Sequence, residues 1–164
     1  MKNLFLLRHA KSSWDNAALA DFDRPLSKRG ISNAILLSEY IQKHNITFDL
    51  VLSSPSERTQ STLDLVLSSL DHFPTTTLKE SIYHASPFSL TQLIKEQDDA
   101  INNLLIIGHN PGLHILTEQL TNQSIVKFPT CAFAKITNFY NWKDIDTGIL
   151  NLESLITPKE LNHD

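Results

Sequence analysis

One cysteine, Cys131, stands in a chain of 164 residues. That scarcity excludes a disulfide framework or a thiolate zinc site built within the chain, and Cys131 is expected to serve as a small apolar strand residue. Glycine is nearly as rare, with four in all. No Gly-x-x-x-x-Gly-Lys pattern exists, which removes nucleotide binding through a phosphate loop of that kind. No His-Glu-x-x-His pattern or tight cluster of ligand residues appears either, so no metal or other cofactor is expected. Basic excess is also missing, since 14 Lys and Arg face 18 Asp and Glu for a net charge of −4. General nucleic-acid or anionic-membrane binding would need a basic field, and neither partner is expected. No apolar run approaches a signal sequence or a membrane span, and the expected location is cytoplasmic.

What is present is an alternation of strand and helix signals that fits one domain over residues 1–164. Asn3 to Leu7 reads as a buried strand, followed by a polar loop from Lys11 to Pro25. Ser27 has the character of an N-cap, with Ile31, Ala34, Ile35 and Ile41 continuing at helical spacing. A second strand, Asp49 to Ser54, leads to a helix with the stripe Leu63, Val66, Leu67 and Leu70, ended by Pro74. Thr75 to Leu78 reads as a short strand. Ser86-Pro87 then opens a helix carrying Leu90, Leu93 and Ile94. Leu104 to Ile107 is a further strand, followed by a helix with Leu113, Leu116 and Leu120. Ala132 to Ile136 and Gly148 to Leu152 complete the strands, and residues from Thr157 onward read as a loose tail. Repeated crossovers predict an α/β three-layer sandwich: a mainly parallel central sheet with helices on both faces. Trp14 and Trp142 are expected to pack.

Three of these strands end in chemistry. The first runs into Arg8-His9, the second into Ser53-Ser54-Pro55 and then Arg58, and the fourth into Gly108-His109. Open α/β sheets place ligands at the carboxyl ends of their strands. Two arginines and two histidines there suit a doubly charged phosphoryl group. The cation of Arg8 beside His9 disfavours imidazolium and leaves a neutral ring nitrogen available as a nucleophile. Strand alternation points Arg8 and His9 to opposite sides, so the chain must bend there for both to meet one ligand. Arg58 falls in the first turn of a helix, where a cation is unfavourable unless an anion sits nearby. Two of the four glycines, Gly108 and Gly112, bracket His109-Asn110-Pro111 and permit close approach of a ligand to the backbone. His44, His72, His84, His114 and His163 lack such settings.

These segments resemble a known family. Leu7-Arg8-His9-Ala10-Lys11-Ser12-Ser13-Trp14, Ser53-Ser54-Pro55-x-x-Arg58 and Gly108-His109-Asn110-Pro111-Gly112 are similar to the motifs of the histidine phosphatase, or phosphoglycerate mutase-like, superfamily. Asp23-Arg24-Pro25-Leu26-Ser27-x-Arg29-Gly30 and Phe128-Pro129-Thr130 resemble its short branch, the SixA-type phosphohistidine phosphatases. The resemblance implies metal-free phosphoryl transfer with His9 as the nucleophile. Arg8, Arg58 and His109 would hold the phosphoryl oxygens, with Ser12 and Asn110 as further substrate contacts. It also implies a proton donor after the third strand, for which Glu80 is the candidate. Two departures stand out: Ala10 where many members carry glycine, and Thr59-Gln60-Ser61-Thr62 where Ala-x-Gln-Thr is usual.

The segment before the Pro87 helix is too short for the helical lid of sugar-phosphate enzymes. An open pocket favours a phosphohistidine presented on a protein or peptide over a small phosphorylated molecule. The alternatives are a broad phosphatase for small phosphoesters and a non-catalytic phosphate-binding module.

Overall fold

A computed structural model describes residues 1–162. Its centre is a six-stranded sheet of β1 (Asn3–Arg8), β2 (Leu50–Ser53), β3 (Thr75–Leu78), β4 (Asn103–Gly108), β5 (Phe133–Thr137) and β6 (Asn151–Ile156), in the order β3-β2-β4-β1-β5-β6. The first four strands run parallel, as their helical crossovers demand. The last two are antiparallel, making the sheet mixed. The reason lies at the top of β1, where the Cys131 N–H bonds the Arg8 and His9 carbonyls, each at 3.0 Å. The chain therefore enters β5 at the carboxyl end of β1 and can only run back down. β6 begins later than the pattern suggests, because Gly148 adopts φ 76° and ends the 3-10 stretch Trp142–Thr147 in a turn.

Strand alternation builds a core on each face of the sheet. Leu4 and Leu6 of β1, with Leu104 and Ile106 of β4, join α3 (Pro87–Lys95) and α4 (Gly112–Thr121) on one side. Phe5 and Leu7, with Leu105 and Ile107, join α1 (Lys28–Lys43) and α2 (Glu57–Leu67) on the other. The central strands are buried on both faces, which is why they read as unbroken apolar runs. Ser27, Ser56 and Ser86 cap α1, α2 and α3, each accepting a backbone N–H three residues on.

Three expectations need correction. Ile31 and Ile35 do not face the core, being 41% and 43% exposed; the buried stripe of α1 is Gly30, Ala34, Leu37 and Ile41. Gly30 sets that rotation, since it lies so close to the Lys11 carbonyl that a Cβ there would strike the oxygen. The second helix ends at Leu67, so Leu70 covers the core from beyond it. Third, the predicted loose tail carries α5 (Pro158–Leu161), with Pro158 buried and Leu161 packed near α1. Residues 163 and 164 of that tail, including His163, lie outside the described residues.

Gly30 joins helix to loop, so its substitution reports on the whole arrangement. Gly30→Ala is expected to lower stability by about 1–3 kcal/mol through overpacking against Lys11. Urea unfolding followed by circular dichroism measures it, and an unchanged midpoint would contradict the packing described here.

Candidate active site

Parallel pairing puts three strand ends side by side, β2 and β1 flanking β4, at the spacing of neighbouring strands. Arg8 pairs with Gly108, the His9 N–H bonds the Gly108 carbonyl at 3.1 Å, and the Ser54 N–H bonds the Ile107 carbonyl at 3.1 Å. A cavity of about 450 Å³ opens above them, lined by Arg8, His9, Ser12, Arg58, His109 and Asn110, all expected from sequence. Arg8 and His9 both reach it because β1 stops at Arg8 and the chain bends into the next loop. Lys11, Trp14, Asp21, Arg24, His84 and Thr130 complete the lining. Glu80 does not belong there. It is exposed at the start of a 3-10 turn, Glu80–Ile82, outside the cavity wall.

His9 Nδ1 lies 2.7 Å from the Ala10 carbonyl. A carbonyl only accepts, so Nδ1 carries the proton and the lone pair rests on Nε2. Burial lowers the His9 pKa to about 4, with the positive charges of Arg58, Arg8 and Arg24 acting in the same direction. The imidazole is therefore neutral near pH 7. The next residue is clamped as well, because the Ala10 N–H donates to Thr62 Oγ1 of α2 at 2.9 Å. The altered motif keeps its helix contacts: Thr59 Oγ1 donates to the Ser54 carbonyl at 2.7 Å.

His109 sits with its ring centre 5.3 Å from that of His9. Its Nε2 meets Ser54 Oγ at 2.8 Å, and its Nδ1 faces Arg58 Nη2 at 3.4 Å. A guanidinium only donates, which places the His109 proton on Nε2. Burial again leads the pKa downward, to about 3, helped by His9 and Arg58.

The arginines are held differently. Arg58, in the first turn of α2, donates Nη1 to the Asp21 carbonyl at 2.7 Å and Nη2 to Asp21 Oδ2 at 3.1 Å. Arg24 bonds the other Asp21 oxygen at 3.1 Å, the Ser13 carbonyl at 3.2 Å and Ser12 Oγ. Its guanidinium lies under the exposed Trp14 ring, 3.2 Å from the ring centre. Arg8 donates Nη1 to the Phe128 carbonyl at 3.2 Å, but its buried Nε has no partner and no carboxylate reaches it among the described residues. The Asn110 Nδ2 donates to that same carbonyl at 2.8 Å, so one of its N–H groups already braces the Phe128 loop. The Tyr83 hydroxyl, 2.6 Å from Asp21 Oδ2, together with Arg58 and Arg24, holds the Asp21 carboxyl well below the usual range. It is the only carboxylate lining the cavity among the described residues, facing three arginines and Lys11.

Two assignments from sequence change here. Trp14 does not pack into the core but stands 73% exposed at the cavity rim, whereas Trp142 is fully buried. Cys131 is buried as expected, yet in the loop before β5 with φ 60°, and burial raises its thiol to about 12. Sequence reading also missed Asp21, Arg24 and His84. Asp23-Arg24-Pro25 marked the loop, but nothing local indicates that Asp21 reaches across to α2. Among the described residues no group of three His, Cys, Asp or Glu side chains could hold a metal ion, and no helix is long and apolar enough to cross a membrane.

The family model of the histidine phosphatase superfamily (branch 1) matches residues 4–83. This chain belongs to that superfamily. Membership supports a phosphatase, a hydrolase of phosphoryl groups. An uncharacterized chloroplastic protein of Arabidopsis thaliana is 32% identical over 171 residues, covering 96% of this chain and 78% of the relative. The fold matches a putative phosphohistidine phosphatase SixA from Agrobacterium tumefaciens at a TM-score of 0.84, with 23% identity over 96% of this chain and 98% of that one. It also matches a protein histidine phosphatase SixA complexed with tungstate, at 0.78 and 22% identity over 97% and 99%.

Neutral buried histidines make stability depend on acid. An unfolded histidine takes up its proton near pH 6.5, whereas His9 and His109 resist until about 4 and about 3. Between these values the unfolded chain binds more protons, so stability falls as pH drops below about 6.5 and is unaffected above it. The urea midpoint is expected to fall less between pH 7 and pH 4.5 in a His9→Gln, His109→Gln double variant than in the native protein. Identical slopes would contradict the assigned ionisation.

Proposed function

We propose that this protein is a metal-independent phosphohistidine phosphatase acting on a phosphorylated protein or peptide, with His9 carrying the phosphoryl group between two transfers. One observation carries this reading: a neutral imidazole with its lone pair on Nε2 shares a pocket with an arginine that has no carboxylate of its own. His9 Nε2 attacks phosphorus and the bond to the leaving nitrogen breaks. Water then displaces His9, releasing phosphate and restoring the imidazole. Arg8 and Arg58 neutralise the phosphoryl oxygens in the fork geometry that guanidinium provides. The Ser12 hydroxyl, which accepts from Arg24, keeps its own proton free for a phosphoryl oxygen. A bound dianion supplies the countercharge that burial denies His109, drawing a proton onto its Nδ1 so that it too can donate. These are positioning and charge effects, the chief contributions to phosphoryl transfer.

The substrate class follows from the shape of the rim. Between α2 and α3 the chain holds only β3 and the 3-10 turn Glu80–Ile82, so no long helix covers the cavity. A side chain presented by another protein can reach such a site. The likeness in fold to SixA proteins, one of them complexed with the tetrahedral oxyanion tungstate, supports the same reading.

Rapid-quench labelling with a phosphohistidine peptide tests it. Phosphate is expected on His9 in the native protein and not in His9→Ala, which should keep a native circular dichroism spectrum because the residue lies in a loop. EDTA should leave turnover unchanged. Hydrolysis of 4-nitrophenyl phosphate alone, with none of the phosphohistidine peptide, would replace this reading with a broad small-phosphoester phosphatase. Phosphate binding with no label on His9 would make the protein a binding module.

A further inference from the structure

We propose that His84 is the proton donor to the leaving group, a second catalytic imidazole working opposite His9. The proposal rests on the reading of His9 as nucleophile and fills the role that Glu80 cannot reach. His84 lines the cavity, is exposed to it, and its ring makes no hydrogen bond among the described residues. Its ring centre lies 6.4 Å from that of His109 and 4.0 Å from that of Tyr83. The backbone there is built for the purpose. His84 adopts φ 59°, and the following Ala85 carbonyl rests on Gly112 at the start of α4 with no room for a Cβ between them. The Ala85 N–H bonds the carbonyl of buried Ile82 at 3.2 Å. A left-handed residue between two fixed points holds its side chain over the cavity.

Other candidates fail on chemistry or direction. Asp21 is kept ionised by Tyr83, Arg58 and Arg24, so it has no proton to give. Arginine does not release protons in proteins. His109 turns its Nε2 proton to Ser54, and the proton a bound dianion draws onto its Nδ1 is engaged by a phosphoryl oxygen. Lys11 follows His9 by two residues, on the same loop as the nucleophile. In-line displacement sends the leaving group away from His9. His84 belongs to the segment that follows β3 and rests on Gly112 at the start of α4, and not to the loop after β1 that carries His9.

In the first step the His9 Nε2–P bond forms, the P–O bond of an ester breaks, and the departing oxygen takes the proton of the His84 imidazolium. In the second, neutral His84 accepts a proton from water as it attacks phosphorus and the P–N bond to His9 breaks. The proton balance closes over one turnover. With a phosphohistidine substrate the proton goes to the remaining ring nitrogen, so that imidazole departs neutral.

Leaving-group dependence tests the proposal. Values of kcat/KM, which report the first transfer, are compared for 4-nitrophenyl phosphate and for glycerol phosphate in native protein, His84→Ala and His84→Gln. Nitrophenolate departs without a proton, whereas an alkoxide needs one. The ratio of aryl to alkyl activity is expected to rise about 100-fold or more in both variants, the usual scale of general acid catalysis. Label should also persist on His9 as water attack slows. An equal loss on both substrates would reduce His84 to a substrate contact, and recovery by His84→Gln would reduce it to a hydrogen-bond donor. Either outcome overturns the proposal while leaving His9 as nucleophile. Absence of label on His9 in the native protein overturns the parent reading, and this one with it.

Discussion

The parallel register of β1, β4 and β2 is the constraint on which the site depends. Because Arg8 pairs with Gly108 and Ser53 with Ile107, three strands end at one level. Residues about 50 and 100 positions apart in sequence (roughly the length of a crossover unit each time) become neighbours at the distance of adjacent strands. Leu4 to Leu7, Val51 and Leu52, and Leu104 to Ile107 below that level are apolar and buried, alternating between the two faces, so the register cannot slip without exposing two cores. The strand ends that frame the site are thus anchored by burial of leucine and isoleucine.

Charge is the second element. The protein as a whole carries −4, yet its cavity gathers three arginines and a lysine around one carboxylate. Asp21 is shared between Arg24 and Arg58, and this leaves Arg8 without a counter-ion. Both central histidines remain neutral because burial and the arginines oppose a further positive charge. A dianion entering this field would meet donors already oriented, so little reorganisation would accompany binding. Asp21 keeps Arg58 in place from the 3-10 turn Asp21–Asp23, which lies beside α2.

Much of this was legible in the sequence. Short apolar runs and period-3.6 stripes located the strands and helices, and Ser27 and Ser86 marked helix starts by a mechanism that is local. The convergence of Arg8, His9, Arg58 and His109 followed from a rule about where parallel strands end. What could not be read is tertiary. Which face of α1 turns inward depends on the contact between Gly30 and the Lys11 carbonyl, which no periodicity encodes. Asp21 and His84 sit in irregular segments whose direction is decided by Tyr83 and by Gly112. Glu80 was placed by its position after β3, and the 3-10 turn that begins there carries the chain past it before the cavity wall is reached.

The unequal setting of the two indoles has a practical meaning. Trp142 lies dry inside the core, while Trp14 is stacked on Arg24 at the edge of the cavity. Their emission should differ in colour, the wet ring shining at longer wavelength. A guest that disturbs the guanidinium beneath Trp14 would alter only that band, giving the protein a built-in optical gauge of occupancy with the buried ring as internal reference.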